Sequence, residues 1–201
     1  MGRQTIFHKD EDYAAFERVL AEAYQRVPLR VLAYCLMPNH WHFVFWPRSD
    51  TELGEFTKWM THTHTQRWHA HYHTSGSGHL YQGRYKSFPV QSNLHLLLVL
   101  RYVERNALRA NLVNRAQDWT WSSLWRRENK RGLAMLADWA AFVNEPQTAD
   151  ELASIRRSVN RGCPFGDEDW RKQVVDDLGL HATLRGRGRP GKVTALEVID
   201  P

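Results

Sequence analysis

The sequence predicts an α+β sandwich in which helices lie over one face of an antiparallel sheet. Two observations lead there. Segments with apolar residues three and four apart, and short apolar runs of strand character, follow one another in mixed rather than strictly alternating order. The chain has 201 residues, 42% of them hydrophobic, which suffices for one substantial core with a small appendage.

From Asp10 to Arg26, Tyr13, Phe16, Val19, Leu20 and Tyr24 recur at helical spacing, and Asp10 or Asp12 is placed to cap the start, so a helix is expected. Leu29 to Leu36 is short, apolar and bounded by Pro28 and the Met37-Pro38-Asn39 turn, and His40 to Trp46 then alternates until Pro47. Together they read as a hairpin of two strands. Thr51 to about His71 carries Leu53, Phe56, Trp59, Met60 and Thr63 at helical spacing and predicts a second helix, ending before Thr74-Ser75-Gly76-Ser77-Gly78. That Gly/Ser stretch is too small and polar to pack, and predicts a mobile loop leading into an aromatic-rich strand or extended pair from Leu80 to Val90.

Ser92 or Asn93 can cap a long helix from Leu94 to about Ala110, with Leu96, Leu97, Leu100, Val103, Ala107 and Leu108 as its apolar stripe. Trp119 to Trp125 reads as a packed aromatic turn followed by a charged stretch. Trp139, Phe142 and Val143 indicate a further short helix, and Asp167 to Leu178 a helix stopped at Gly179. Residues 1–125 are thus expected to form the main domain, 126–182 a small helical extension, and 183–201 a basic, disordered tail.

Lys and Arg number 27 against 22 acidic residues, a net charge of +5, so the surface favours a polyanion and nucleic acid leads the partner classes. The two cysteines, Cys35 and Cys163, are far apart and form no CxxC pair, which argues against a disulfide framework and against a thiolate zinc site. No apolar run approaches the roughly 20 residues that span a bilayer, and Met1 to Lys9 lacks a signal-peptide apolar stretch, so a cytoplasmic protein without a membrane partner is expected. Nine tryptophans and eleven histidines are many for this length; such rings stack bases and bind metal, and they also fill cores.

In His40-Trp41-His42 the imidazoles are two apart, so on a strand both project from one face while Trp41, Phe43 and Phe45 take the other. That arrangement suits one divalent ion, and it equally describes two half-buried strand histidines. On the long helix Tyr102 and Asn106 stand four apart and share a face, with Arg105 and Arg109 close by. A phenol is a poor nucleophile at its usual pKa of about 10, but a metal-polarised phosphate and nearby cations lower the barrier to its attack. Asn106 offers a third ligand. By periodicity alone Tyr102 is equally an amphipathic core edge and Asn106 a solvated polar residue.

Three blocks carry a family resemblance: Tyr34-Cys35-Leu36-Met37-Pro38-Asn39-His40-Trp41-His42, then Tyr81-Gln82-Gly83-Arg84-Tyr85-Lys86-Ser87-Phe88, then Arg101-Tyr102-Val103-Glu104-Arg105-Asn106-Ala107-Leu108-Arg109-Ala110-Asn111-Leu112-Val113. Over roughly residues 3 to 125 the chain resembles the HUH-endonuclease superfamily, and within it the single-tyrosine transposases of the small insertion-sequence type and the REP-associated tyrosine transposases. HxH alone is a weak signal; joined to Met-Pro-Asn before it and the Tyr/Asn helix after it, the combination is specific.

The resemblance implies a ferredoxin-like, RRM-like sandwich with the histidines on a central strand. It implies that His40, His42 and Asn106 ligate Mg²⁺ or Mn²⁺ and that Tyr102, with the two histidines, forms the catalytic set. The expected reaction is cleavage and rejoining of single-stranded DNA at hairpin sites through a 5′-phosphotyrosine and a free 3′-hydroxyl. Arg84, Lys86, Arg105, Arg109, Arg185, Arg187 and Arg189 are the expected DNA contacts, and the protein is expected to act as a monomer or a homodimer. Relatives begin with a further strand before the part matching Arg3-Gln4-Thr5-Ile6-Phe7, so a truncated start lacking the first strand is expected, which would bear on activity.

His62, His64, His69, His71 and His73 invite a zinc reading, but helical spacing pairs only His69 with His73 and no acidic or cysteine partner lies nearby. Arg185 to Lys192 contains Arg-Gly-Arg-Pro, similar to an AT-hook core, with a generally phosphate-binding tail as the alternative. Two rival classes stand beside the transposase: a catalytically inactive DNA-binding protein or repressor derived from one, and an RNA-binding RRM-like protein whose histidines need no metal.

Overall fold

The computed structural model describes residues 4–129 and 138–185. In chain order the elements are α1 (Asp10–Arg26), β1 (Arg30–Met37), β2 (His40–Trp46), α2 (Glu52–Tyr72), α3 (Leu94–Glu104), α4 (Asn106–Arg109), α5 (Ser123–Asn129), α6 (Trp139–Asn144), α7 (Ala149–Arg161), α8 (Glu168–Asp177) and α9 (His181–Leu184). A short 3-10 turn, Ala116–Asp118, precedes α5. Among the described residues no helix is long and apolar enough to cross a membrane.

The class is α+β, built on one antiparallel hairpin. Cys35 pairs with His42 and Met37 with His40 in its register, and a bulge between Val31 and Ala33 lies at the far end from the histidines. Strand alternation splits the hairpin into two apolar faces, and here the structure goes beyond the expected helical layer on one face. Tyr34, Leu36, Trp41, Phe43 and Phe45 meet Phe16, Val19, Phe56 and Met60 of α1 and α2. Ala33, Cys35, Met37 and Val44 meet Val99, Leu100, Tyr102 and Val103 of α3. Helices therefore cover both faces, because apolar side chains dominate each, with the half-buried His40 and His42 among them on the α3 side.

Elements read from period came out close to expectation. Asp12 caps α1 by accepting from the His8 and Lys9 backbone amides at 2.7 and 3.2 Å, and it also accepts from the Tyr72 hydroxyl at 2.7 Å, which ties α1 to the end of α2. Of the aromatic turn expected over Trp119 to Trp125 only residues 119–122 are a turn, Ser123 already beginning α5, and the turn covers the outer edge of β1: the Trp119 indole donates to the Leu36 carbonyl at 2.9 Å, and the Leu36 amide donates to the Trp121 carbonyl at 2.9 Å.

Two expectations need correction. Leu80 to Val90 is not a strand; among the described residues it contributes a single bridge, Val90 to Phe165, and Gly83 takes a φ of 84° that breaks any extended run. The long helix is interrupted at Arg105, giving α3 and α4, although Arg105 keeps a nearly helical φ of −81° and ψ of −4°. The extension also contains α7, which the apolar period did not reveal. Among the described residues its Trp139, Val143, Ile155 and Phe165 join the same apolar cluster as Tyr102 and Val103.

Candidate nucleic-acid processing site

The histidine pair is set by its turn. The Pro38 carbonyl, one residue past β1, accepts from both the Ile6 and Phe7 amides at 2.9 and 3.0 Å, and Ile6 and Phe7 are buried, so the turn before His40 is anchored to the core. Asn39 Oδ1 lies 2.5 Å from His40 Nδ1, and because an amide oxygen only accepts, the proton sits on Nδ1 and the lone pair on Nε2. Asn39, part of the Met-Pro-Asn motif but not among the expected site residues, thus supports the His40 imidazole, and its place directly before the HxH is the available signal.

His40 Nε2 and His42 Nε2 are 3.0 Å apart. Two nitrogens each about 2.1 Å from one ion and at right angles to it would stand about 3.0 Å apart, so the pair fits a shared divalent metal. Both imidazoles are half-buried. Among the described residues no third His, Cys, Asp or Glu joins them, so a complete ligand set needs a neutral oxygen or the substrate itself.

α3 supplies the phenol. Its N-terminus is capped by Asn93, whose side chain accepts from the His95 amide at 2.8 Å, and its apolar stripe lies on β1 and β2. This puts Tyr102 on the histidine face: the ring centroids of His42 and Tyr102 are 6.0 Å apart with planes at 89°. Tyr102 is 7% exposed, so its ring is packed while it borders the imidazole.

Asn106 lies one turn on and is also buried. Its Nδ2 donates to the Tyr102 and Val103 carbonyls at 3.1 and 3.2 Å, and its Oδ1 accepts from the Arg109 guanidinium. Arg109 itself sits 4.2 Å from the Tyr102 ring centre and donates to Gln147 Oε1 at 3.3 Å. Burial lowers the affinity of this guanidinium for its proton, and the Tyr102 phenol beside it works the other way.

The expected DNA contacts separate into three groups. Arg84 and Lys86 are exposed in the segment after Leu80, beside the 43% exposed Tyr85; Lys86 Nζ lies 3.5 Å from Asn160 Oδ1. Arg105 and Arg109 instead turn inward. Arg105 donates to the Val143 carbonyl at 3.0 Å and to that of Asn144, and burial, followed by repulsion from Arg101, lowers its affinity for its proton. Positive charge near the tyrosine therefore serves intrachain acceptors at these two positions. Arg185 is exposed, with its carbonyl accepting from Arg161 at 3.0 Å, whereas Arg187 and Arg189 lie outside the described residues.

The α2 histidines form no metal cluster among the described residues. His64 is 3% exposed with Nδ1 2.5 Å from the Tyr81 hydroxyl, and burial pulls its pKa down to about 4. Cys35 lies on the strand beside the histidines, paired with His42, where burial raises its thiol to about 12 and keeps it protonated.

Comparison with known proteins places the chain in a family. No curated protein matches the chain. A solved structure of a REP-associated tyrosine transposase bound to a REP hairpin is similar in fold at 16% identity, with a TM-score of 0.51 over 73% of this chain and 80% of that one. The profile of the family described as transposase IS200 like matches residues 2–106, which take in His40, His42, Tyr102 and Asn106. The chain belongs to the IS200-like transposase family.

Proposed function

We propose that the protein cleaves and rejoins single-stranded DNA at hairpin sites, with Tyr102 as nucleophile and with His40, His42 and Asn106 as ligands for Mg²⁺ or Mn²⁺. The carrying observation is convergence: His42 on a strand and Tyr102 on a helix far along the chain meet at 6.0 Å, on the face to which His40 also points. No local rule of sequence brings them together. Membership of a transposase family and the hairpin held by the structural neighbour support DNA hairpins as the substrate class.

The roles follow from the side chains. Asn39 fixes the His40 tautomer, so that Nε2 stays a ligand rather than a donor. The bound metal would polarise a phosphate oxygen and stabilise charge on the leaving oxygen. Tyr102 Oη attacks phosphorus; a phosphorus–Oη bond forms, the phosphorus–O3′ bond breaks, the phenol gives up its proton to solvent, and the 3′-oxygen leaves as a hydroxyl. The ester retains the energy of the broken bond, so a 3′-hydroxyl can reverse the step. Arg84 and Lys86 are exposed for backbone contact.

The test is incubation with single-stranded hairpin DNA and Mn²⁺, followed by denaturing electrophoresis for a covalent protein–DNA adduct. Wild type is expected to form it and Tyr102→Phe to form none. Equal adduct from Tyr102→Phe would sink the mechanism. Tight hairpin binding without any adduct would instead identify an inactive DNA-binding descendant, and preference for RNA of the same sequence would favour the RNA-binding class.

A further inference from the structure

Arg101, Arg105 and Arg109 recur every fourth residue and reach toward the segment Val143–Gln147. Arg101 and Arg105 end on backbone carbonyls there. Arg109 differs, because beside a 3.5 Å bond to the Tyr102 carbonyl its guanidinium is shared among Gln147 Oε1, the face of the Tyr102 ring and the amide oxygen of Asn106. The amide nitrogen of Asn106 is already committed to two helix carbonyls, which leaves Oδ1 as the one atom through which this side chain can ligate a cation. Arg109 holds that atom. An amide oxygen shared by a guanidinium and a divalent ion would bring two cations within a few ångströms in a buried setting, so the two compete.

We propose that Arg109 controls metal entry: its guanidinium occupies the Asn106 oxygen before metal binds and is displaced from it when metal does. The inference rests on the assignment of Asn106 as a ligand made above. Gln147, which is 8% exposed and lies beyond the family match at 2–106, sets how firmly Arg109 is held, so the helical extension tunes metal affinity. Displacement leaves the guanidinium beside Tyr102, where it can meet the phosphate instead.

The experiment is a double-mutant cycle read by Mn²⁺ binding to the full-length protein, using calorimetry or loss of the free-Mn²⁺ electron paramagnetic resonance signal. Arg109→Met is expected to bind Mn²⁺ about fivefold to tenfold more tightly than wild type, and the gain should vanish in the Asn106→Ala background. A gain that persists without Asn106 is a through-space charge effect and overturns the proposal, as does the absence of a gain. Gln147→Ala should give a smaller gain with the same dependence on Asn106, and it carries the test should Arg109→Met fail to fold. Loss of Mn²⁺ binding in His42→Ala is the control for the underlying assignment. Binding indifferent to His42 removes the metal site and this proposal with it, whereas His42-dependent binding without coupling to Asn106 removes the Arg109 proposal alone.

Discussion

The His42 imidazole stands edge-on to the Tyr102 ring, 6.0 Å between centroids, and this contact joins a strand to a helix with no help from sequence proximity. His42 is held by its pairing with Cys35 and Tyr102 by the apolar seat of α3, so both partners of the contact are fixed by buried elements.

Metal binding by this pair should appear as stabilisation, because a ligand that binds the folded state alone raises its melting temperature. Mn²⁺ at a hundredfold excess over Kd is expected to raise the Tm of the wild-type protein by about 5 to 10 °C. His40→Ala and His42→Ala should each lose the shift while keeping a near-native Tm in chelator, since both rings are only half-buried. A shift of equal size in both variants, measured by scanning fluorimetry, would place the metal elsewhere.

Glu104 is fully buried two residues after Tyr102 and accepts from the Trp139 indole at 2.7 Å and from the Ser123 hydroxyl, with Arg127 as its ion partner. Ser123 also accepts from the Tyr34 amide at 2.9 Å, so the end of α3 is tied to β1 one residue from Cys35. Glu104→Ala strands the Arg127 charge and the Trp139 indole, while the Ser123 hydroxyl retains the Tyr34 carbonyl at 3.2 Å, and is expected to cost about 3 to 5 kcal/mol in urea unfolding. A loss under 1 kcal/mol would show that the network is dispensable.

Arg101 is 5% exposed, donates to the Glu145 and Pro146 carbonyls at 2.8 and 3.1 Å, and lies 4.3 Å from the Phe142 ring centre. Arg101→Met keeps much of the packing but leaves two carbonyls without their donor, for an expected loss of about 2 to 4 kcal/mol. Because the lost contacts are those of the extension, limited proteolysis should cut near residues 145–148 faster than in wild type. Unchanged cleavage there would show that the Arg101 contacts do not hold this segment down.

The sequence made α1, the hairpin and α2 legible because each buries a face whose period shows in the apolar residues. Leu80 to Val90 misleads for a physical reason: Leu80, Tyr81 and Phe88 pack against the two apolar clusters while Tyr85 stays exposed, and apolar and aromatic enrichment does not distinguish a packed irregular segment from a strand. The break at Arg105 is invisible because the apolar stripe of Val103, Ala107 and Leu108 runs on past it. α7 had a readable signal in Thr148-x-x-Glu151, whose side chains and backbone amides do form a reciprocal cap, at 3.2 and 2.8 Å. At the site, strand alternation places His40 with His42 and helical spacing places Tyr102 with Asn106. The destinations of Arg105 and Arg109 depend on where residues 143–147 pass, which no local pattern encodes.

Acid stability offers the last test. His64 is buried against Phe7 and Phe16, hydrogen-bonded to Tyr81, and its pKa is drawn down to about 4 by loss of solvation, with Asp12 opposing weakly. In the unfolded chain an ordinary histidine titrates near 6.5, so between about pH 6.5 and pH 4 the unfolded state binds a proton that the folded state refuses. Stability must therefore fall as pH drops through that window and be fully present above it, with this one group contributing on the order of 3 kcal/mol by its lower end. Asp12 titrates lower still, because hydrogen bonds from Tyr72, His8 and Lys9 outweigh the burial that would raise it, so its loss of stability lies mainly below about pH 4. His64→Gln keeps a hydrogen-bonding group for Tyr81 without a titrating ring. Its unfolding free energy, measured by urea titration from pH 7 to pH 4, should decline less steeply than that of wild type, and parallel declines in the two proteins would show that His64 is not the group that makes the fold acid-sensitive.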